Sequence, residues 1–312
     1  MKYKIASIVL LLCLCIAGSG YKLHNHRTET VSTDTITTFI LPAIPVALNT
    51  PESRADYLVR HYWDNTNFAD TNYIHHPEVT EQAWVNYIDI LRLVPAPIAN
   101  SSLKSLFTQA EKEKKCYRYL AGLADMYLYD PNSPMRNEEL YISVLDALLS
   151  SPVLSDAEKI RPKALRELAQ KNRPGTKALD FTYTLASGKQ GNLYNLDTPY
   201  TILFINNPGC HACAETIDLL KQAAIITRSV SQNQLTILSI YPDTDLEEWK
   251  NHLSDFPASW INGYDKEQTI ERKNLYDLKA IPSLYLLDKY KIVLLKDTTV
   301  EEIENYLTLN SL

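Results

Sequence analysis

Cys210-His211-Ala212-Cys213 is a stretch whose residue types and spacing spell out a reaction. It follows an apolar run ending at Phe204-Ile205 and a turn, Asn206-Asn207-Pro208-Gly209, and it opens an amphipathic helical pattern. A cysteine at the start of a helix meets unpaired backbone N–H groups and the positive end of the helix dipole, and both favour a thiolate. Only a thiolate attacks a disulfide, so Cys210 reads as a nucleophile. Cys213 lies one turn deeper and reads as the thiol that resolves the mixed disulfide. Together the two form a redox-active disulfide. His211, when protonated, would stabilise the Cys210 thiolate further, a tuning role.

Other uses of the pair fit less well. Zinc takes about four ligands, and the chain has no second C-x-x-C; His252 is the nearest downstream histidine. A structural bridge across so short a loop constrains the unfolded chain least. A Thr-x-x-Cys pattern, which would suggest peroxide reduction, is not met, because Asn207 stands in the threonine place. The expected chemistry therefore calls for no metal ion and no organic cofactor beyond the disulfide.

The elements that must position the pair are legible nearby. Phe181 to Leu185 alternates like a strand before the turn Ser187-Gly188-Lys189. Thr201 to Ile205 and Leu235 to Ile240 read as short buried strands, with one amphipathic helix carrying Ile217, Leu219, Leu220, Ala223 and Ala224 between them. Ser283 to Leu287 and Ile292 to Leu295 are two more strands joined at Asp288-Lys289-Tyr290, and Val300 to Leu309 is a closing helix. A βαβ unit followed by a hairpin and a helix predicts an α/β domain, a mixed sheet flanked by helices.

With Ala280-Ile281-Pro282-Ser283-Leu284-Tyr285-Leu286-Leu287-Asp288 beside the C-x-x-C, residues 177–312 resemble the thioredoxin superfamily, in particular its exported TlpA-like and ResA-like branch. The resemblance implies a cis Ile281–Pro282 bond facing the cysteines, with the Ile281 backbone and Pro282 shaping a substrate-binding groove. It implies an extra strand–helix insert, which Asp245 to Tyr264 would supply. It also implies thiol–disulfide oxidoreductase activity on protein thiols and disulfides, with an envelope electron donor. Three positions depart from the family pattern. Pro208-Gly209 replaces the aromatic residue before the first cysteine, Phe204 stands where many relatives bury an acid, and Thr216 stands where TlpA-like proteins carry a glutamate, with Glu215 beside it.

Upstream, residues 50–172 carry helical spacing throughout and predict an all-α domain. Thr50-Pro51 and Ser155-Asp156 read as helix starts. Pro131, Pro134, Pro152 and Pro162 fall near expected breaks or first turns, and Cys116 reads as a buried apolar residue. This segment resembles a helical module of unknown function that precedes thioredoxin-like domains in bacterial envelope proteins. Residues 1–19 read as a signal peptide: Lys2 and Lys4 precede an apolar run from Ile5 to Ala17 and small residues to Gly20. That run is too short for a bilayer span, which needs about 20 residues. Leu12 and Leu14 precede Cys13 and Cys15 where a lipobox wants a small residue, so lipidation is disfavoured. Residues 20–49, rich in Thr and Ser, read as a tether. The expected address is the periplasm or cell envelope, with membrane contact only through a lipid. A net charge of −6 over 312 residues, without a basic cluster, argues against nucleic acid as a partner. A second functional class stays open, an envelope binding or scaffold protein whose helical domain recognises a partner while the thioredoxin fold serves as a platform.

Overall fold

The computed structural model describes residues 38–310. The expected signal peptide and most of the expected tether lie outside the described residues. The helical half runs through α1 (Pro51–His61), α2 (Pro77–Leu91), α3 (Ala96–Ala110), α4 (Lys114–Ala124), α5 (Glu138–Ser150) and α6 (Asp156–Ala169). A 3-10 turn, Thr71–His75, precedes α2, and a π-helical turn, Asp125–Tyr129, continues α4. Caps explain the helix starts: Thr50 Oγ1 accepts from the Ser53 N–H at 3.2 Å, Asn137 Oδ1 from the Leu140 N–H at 3.0 Å, and Ser155 with Glu158 forms a capping box on α6. Trp84, Tyr87, Ile88 and Leu91 of α2 meet Leu103, Leu106 and Phe107 of α3 and Tyr117 of α4 in one core. The hydroxyls inside that core are satisfied in series. Tyr87 donates to Ser102 Oγ at 2.6 Å, and Ser102 donates to the Val59 carbonyl at 2.6 Å.

Three expectations need correction here. Pro162 lies inside α6 rather than at a break or first turn. The helical spacing read throughout residues 50–172 is not uniformly α-helical: α4 is regular only to Ala124, after which the chain widens into the π-helical turn. Phe39, in the stretch read as tether, stacks on Tyr62 at 5.1 Å and meets Trp63 edge-on at 5.1 Å, so the end of that stretch packs on the helical core.

The C-terminal half consists of β1 (Thr182–Leu185), β2 (Gln190–Asn192), β3 (Tyr200–Ile205), α7 (His211–Gln222), α8 (Ala224–Ser231), β4 (Leu235–Tyr241), α9 (Leu246–Asn251), β5 (Ile261–Tyr264), α10 (Thr269–Arg272), β6 (Ser283–Asp288), β7 (Val293–Lys296) and α11 (Val300–Leu309). The seven strands form one sheet in the order β2-β1-β5-β4-β3-β6-β7. β3 pairs parallel with β4 and antiparallel with β6, and β4 pairs parallel with β5, so the sheet is mixed. Period-two alternation sorts its side chains. Ile202, Phe204, Ile237, Leu284 and Leu286 face α7, α8 and α11, whereas Leu203, Ile205, Leu238, Ile240, Tyr285 and Leu287 face the opposite core with Phe181 and Tyr276. The single amphipathic helix expected after the cysteines is two: Ala223 adopts an extended ψ of 102° and separates α7 from α8, which leaves Leu219 exposed.

Charged and polar side chains tie the two halves together close to β7. Glu138, the first residue of α5, forms an ion pair with Lys296 and lies 3.6 Å from Lys279, which also pairs with Asp277. Arg136 Nη2 donates to the Asp297 carbonyl at 2.7 Å, Lys296 Nζ to the Lys171 carbonyl at 2.8 Å, and Asn172 Nδ2 to the Leu275 carbonyl at 2.8 Å. These contacts fix where the helical half meets the segment leading into β6.

Candidate functional site

β3 delivers the chain to the site. Its last residue, Ile205, is buried, and the next, Asn206, is held by its own side chain, which donates to Ser239 Oγ on β4 at 2.7 Å. Gly209 then adopts a φ of +73°, a left-handed turn that an L side chain resists, and this turn sets Cys210 at the N-cap of α7. Cys210 is half-buried, and its Sγ donates to the Ile281 carbonyl at 3.8 Å. The Ile281–Pro282 peptide bond is cis. Cys213 is 2% exposed, one turn along α7, with the Asn207 N–H 3.4 Å from its Sγ. The structure thus brings Cys210, Cys213, Ile281 and Pro282 together and holds the cysteines as two free thiols. Burial pushes the Cys213 thiol up to about 12, the Asn207 N–H offsetting part of that and the neighbouring Cys210 adding to it. The outer thiol is therefore the accessible one and the inner thiol is held protonated.

His211 lines the same cavity as Cys210 and Cys213. Its ring is 89% exposed, and its ion-pair partner is Glu215 one turn on, with Nδ1 3.5 Å from Oε1. Phe204 is buried against α7, and Thr216 Oγ1 is spent on the Ala212 carbonyl at 2.8 Å. Neither supplies an acid or a base to the thiols.

A titratable cluster does reach the site, from the insert between β4 and β5. His252 Nδ1 lies 2.7 Å from Asp255 Oδ2, and its Nε2 lies 3.1 Å from Glu248 Oε1 on α9. The hydrogen bond that His252 donates to Asp255 raises its pKa, desolvation opposes that, and the charges of Asp255 and Glu248 add to the rise. His252 and Asp255 share a cavity of about 230 Å³ with Asn207, Cys210, Cys213 and Phe256. A methyl placed on Gly209 would lie 3.4 Å from Glu248 Oε1, so the insert helix closes directly over the turn. The spacing of Glu248, His252 and Asp255 is visible in the sequence, but only the folded insert carries it to the cysteines.

Cys116 belongs to the other half. It is buried, its Sγ donates to the Asp70 carbonyl at 3.6 Å, and burial raises its pKa, which makes it a packing residue with no partner thiol among the described residues. Among the described residues, no group of three or more His, Cys, Asp or Glu side chains is placed to hold a metal ion, and no helix is long and apolar enough to cross a membrane.

Comparison with known proteins divides the chain at the same place as its periodicity. Residues 198–293 match a family described as thioredoxin-like, and residues 18–172 match a domain of unknown function, DUF5106. No curated protein matches the chain. Among solved structures, the C-terminal domain of an uncharacterised protein from Bacteroides fragilis is 60% identical over 44% of this chain and 98% of its own, with a TM-score of 0.43. A conserved protein of unknown function from Bacteroides fragilis is 38% identical over 43% of this chain and 98% of its own, with a TM-score of 0.42. A thioredoxin-like protein from Bacteroides caccae is 62% identical, covers 89% of this chain and 100% of its own length, and superposes with a TM-score of 0.87. A likeness of that depth spans both halves, and by it the chain belongs to the thioredoxin-like proteins.

Proposed function

We propose that the protein is an exported thiol–disulfide oxidoreductase that acts on protein cysteines in the cell envelope. The observation that carries this reading is the Cys210 thiol at the N-cap of α7, 3.8 Å from the Ile281 carbonyl, with Cys213 buried behind it. In the reducing direction Cys210, as thiolate, attacks one sulfur of a substrate disulfide and expels the other as a thiolate. Cys213 then loses its proton into the cavity it shares with His252 and Asp255 and attacks Cys210 Sγ. The substrate leaves as its second thiolate, and the two electrons lost by the Cys210–Cys213 dithiol reside on the substrate. An envelope electron donor returns the pair to the dithiol. Ile281 presents its backbone, and Pro282 shapes the groove in which an extended substrate lies.

A Cys213→Ser variant cannot resolve the intermediate and is expected to accumulate mixed disulfides through Cys210 when mixed with oxidised envelope proteins. A Cys213→Ser variant that forms no adducts, together with wild-type protein that does not reduce insulin, would overturn the reading. The scaffold reading then takes its place.

A further inference from the structure

The largest of the cavities beside the site, about 470 Å³, is not built by the thioredoxin-like half alone. One wall is Ala212 between the cysteines together with Ile281 and Pro282. The facing wall is Pro131, Asn132 and Arg136, in the loop that joins the π-helical turn to α5 of the helical half. Polar groups dominate the floor and rim, among them Ser283 and Thr298.

The facing wall is held rigidly. Ser133 Oγ donates to the Tyr127 carbonyl at 2.7 Å, and the Asn137 N–H donates to the Leu128 carbonyl at 3.0 Å, which closes the loop on its own base. Arg136 anchors it to the Asp297 carbonyl across the junction. Immediately after the loop, Glu138 enters the ion-pair cluster with Lys296 and Lys279, and Lys279 is two residues before Ile281. Both walls are therefore fixed to one buried cluster, so a ligand pays little ordering cost to be gripped between them.

The chemistry of the wall selects the ligand. The exposed Asn132 side chain offers an acceptor and two donors, the complement of a peptide group, and can pair with main chain of any sequence. A guanidinium has five donors, so Arg136 retains N–H groups for carbonyl or carboxylate oxygens after its bond to Asp297. Cys210 itself does not line this cavity, so a small-molecule disulfide reacting there need not enter it, whereas the chain flanking a cysteine in a polypeptide continues past Ile281 into the groove.

We propose that loop 131–136 of the helical half is the second wall of the substrate groove and selects extended polypeptide segments, gripping the chain next to the target cysteine between Ile281 on one side and Asn132 and Arg136 on the other. The proposal rests on the reading of Cys210 and Cys213 as the exchange centre, and it assigns the helical half a part in choosing substrate.

The test uses the full chain and two readouts. In the first, kcat/KM is measured for insulin and for 2-hydroxyethyl disulfide in the wild type and in Asn132→Trp, which fills the groove from an exposed position. The insulin-to-small-disulfide ratio is expected to fall by about tenfold or more, equivalent to roughly 1.4 kcal/mol of lost discrimination. A ratio that stays level overturns the proposal. The second readout needs no chemistry: binding of an insulin B-chain peptide with its cysteines replaced by serine, with Arg136→Ala as an additional variant. Weaker binding by both variants supports the proposal, and wild-type affinity in both overturns it. Wild-type failure to turn over either disulfide, with intact peptide binding, instead removes the exchange reading and leaves a peptide groove.

Discussion

Glu138, the first residue of α5, and Lys279, two residues before the cis Ile281–Pro282 bond, stand 3.6 Å apart across the junction of the two halves. Both side chains are largely withdrawn from solvent, with exposures of 14% and 13%. An ion pair of this kind gives up hydration that only its partners can replace. Removing the carboxylate leaves the buried Lys296 ammonium without its carboxylate, while Lys279 keeps Asp277. Glu138→Ala is therefore expected to lower stability by about 3 kcal/mol, read as a shift of the urea midpoint at constant slope. A change within a few tenths of a kcal/mol would show that the junction is solvated in solution.

The two thiols of the site differ in access, and burial holds the inner one protonated. Iodoacetamide at neutral pH is expected to label Cys210 in the reduced protein and to leave Cys213 unmodified until the pH approaches about 12. Mass spectrometry of the tryptic peptides separates the two outcomes. Equal labelling at pH 8 would mean that the inner thiol is not buried.

The insert over the site is pH-sensitive, and the sign follows from His252. Asp255 and Glu248 raise the pKa of this imidazole in the folded state above its ordinary value of 6.5. The stabilisation is fully present below that unfolded value and is lost as pH rises through the raised one. Local opening of α9 should thus increase on going from pH 6 towards pH 8. Trp249, buried on α9 with its ring 4.9 Å from Tyr264, reports it by fluorescence quenching. His252→Ala should flatten the profile. A profile that persists unchanged in the variant would assign it to another group.

Gly209 is the residue at which backbone freedom matters most. Gly209→Ala forces an L side chain to φ near +73°, at a cost of about 1–2 kcal/mol. The added methyl meets Glu248 at a tolerable 3.4 Å, so strain rather than collision sets the effect. We expect a lower denaturation midpoint together with slower small-disulfide turnover, because the turn also orients Cys210.

Much of this architecture could be read from residue order. The short, nearly continuous apolar runs of β3, β4 and β6 announced the sheet, because a strand buried on both faces has few polar positions to spare. Cys210 and Cys213 declared their chemistry by spacing alone. Long-range placement was the part that could not be read. Nothing in Glu248, His252 and Asp255 says that α9 folds onto the Gly209 turn, and nothing in Asn132 or Arg136 points to Ile281, well over a hundred positions away. The break at Ala223 escaped because alanine is the best helix former and only packing overrides it there. The Glu215 partner of His211 at the i+4 position was legible in the sequence, though its pairing was not drawn from it.

The π-helical turn at Asp125–Tyr129 holds one residue more than an α-helix would place there, with the Asp130 N–H reaching back to the Asp125 carbonyl at 2.9 Å. Tyr129, at its end, stacks on Tyr141 and lies under the Lys279 ammonium at 4.7 Å. Deleting a single codon in this turn would remove that extra residue and redraw the path of the loop that follows. The loop bearing Asn132 and Arg136 would then face elsewhere, while the sheet and both cysteines stayed untouched. Gain or loss of one residue, far from the thiols in sequence, is thus a route by which descendants of one gene could exchange clientele without altering their redox chemistry.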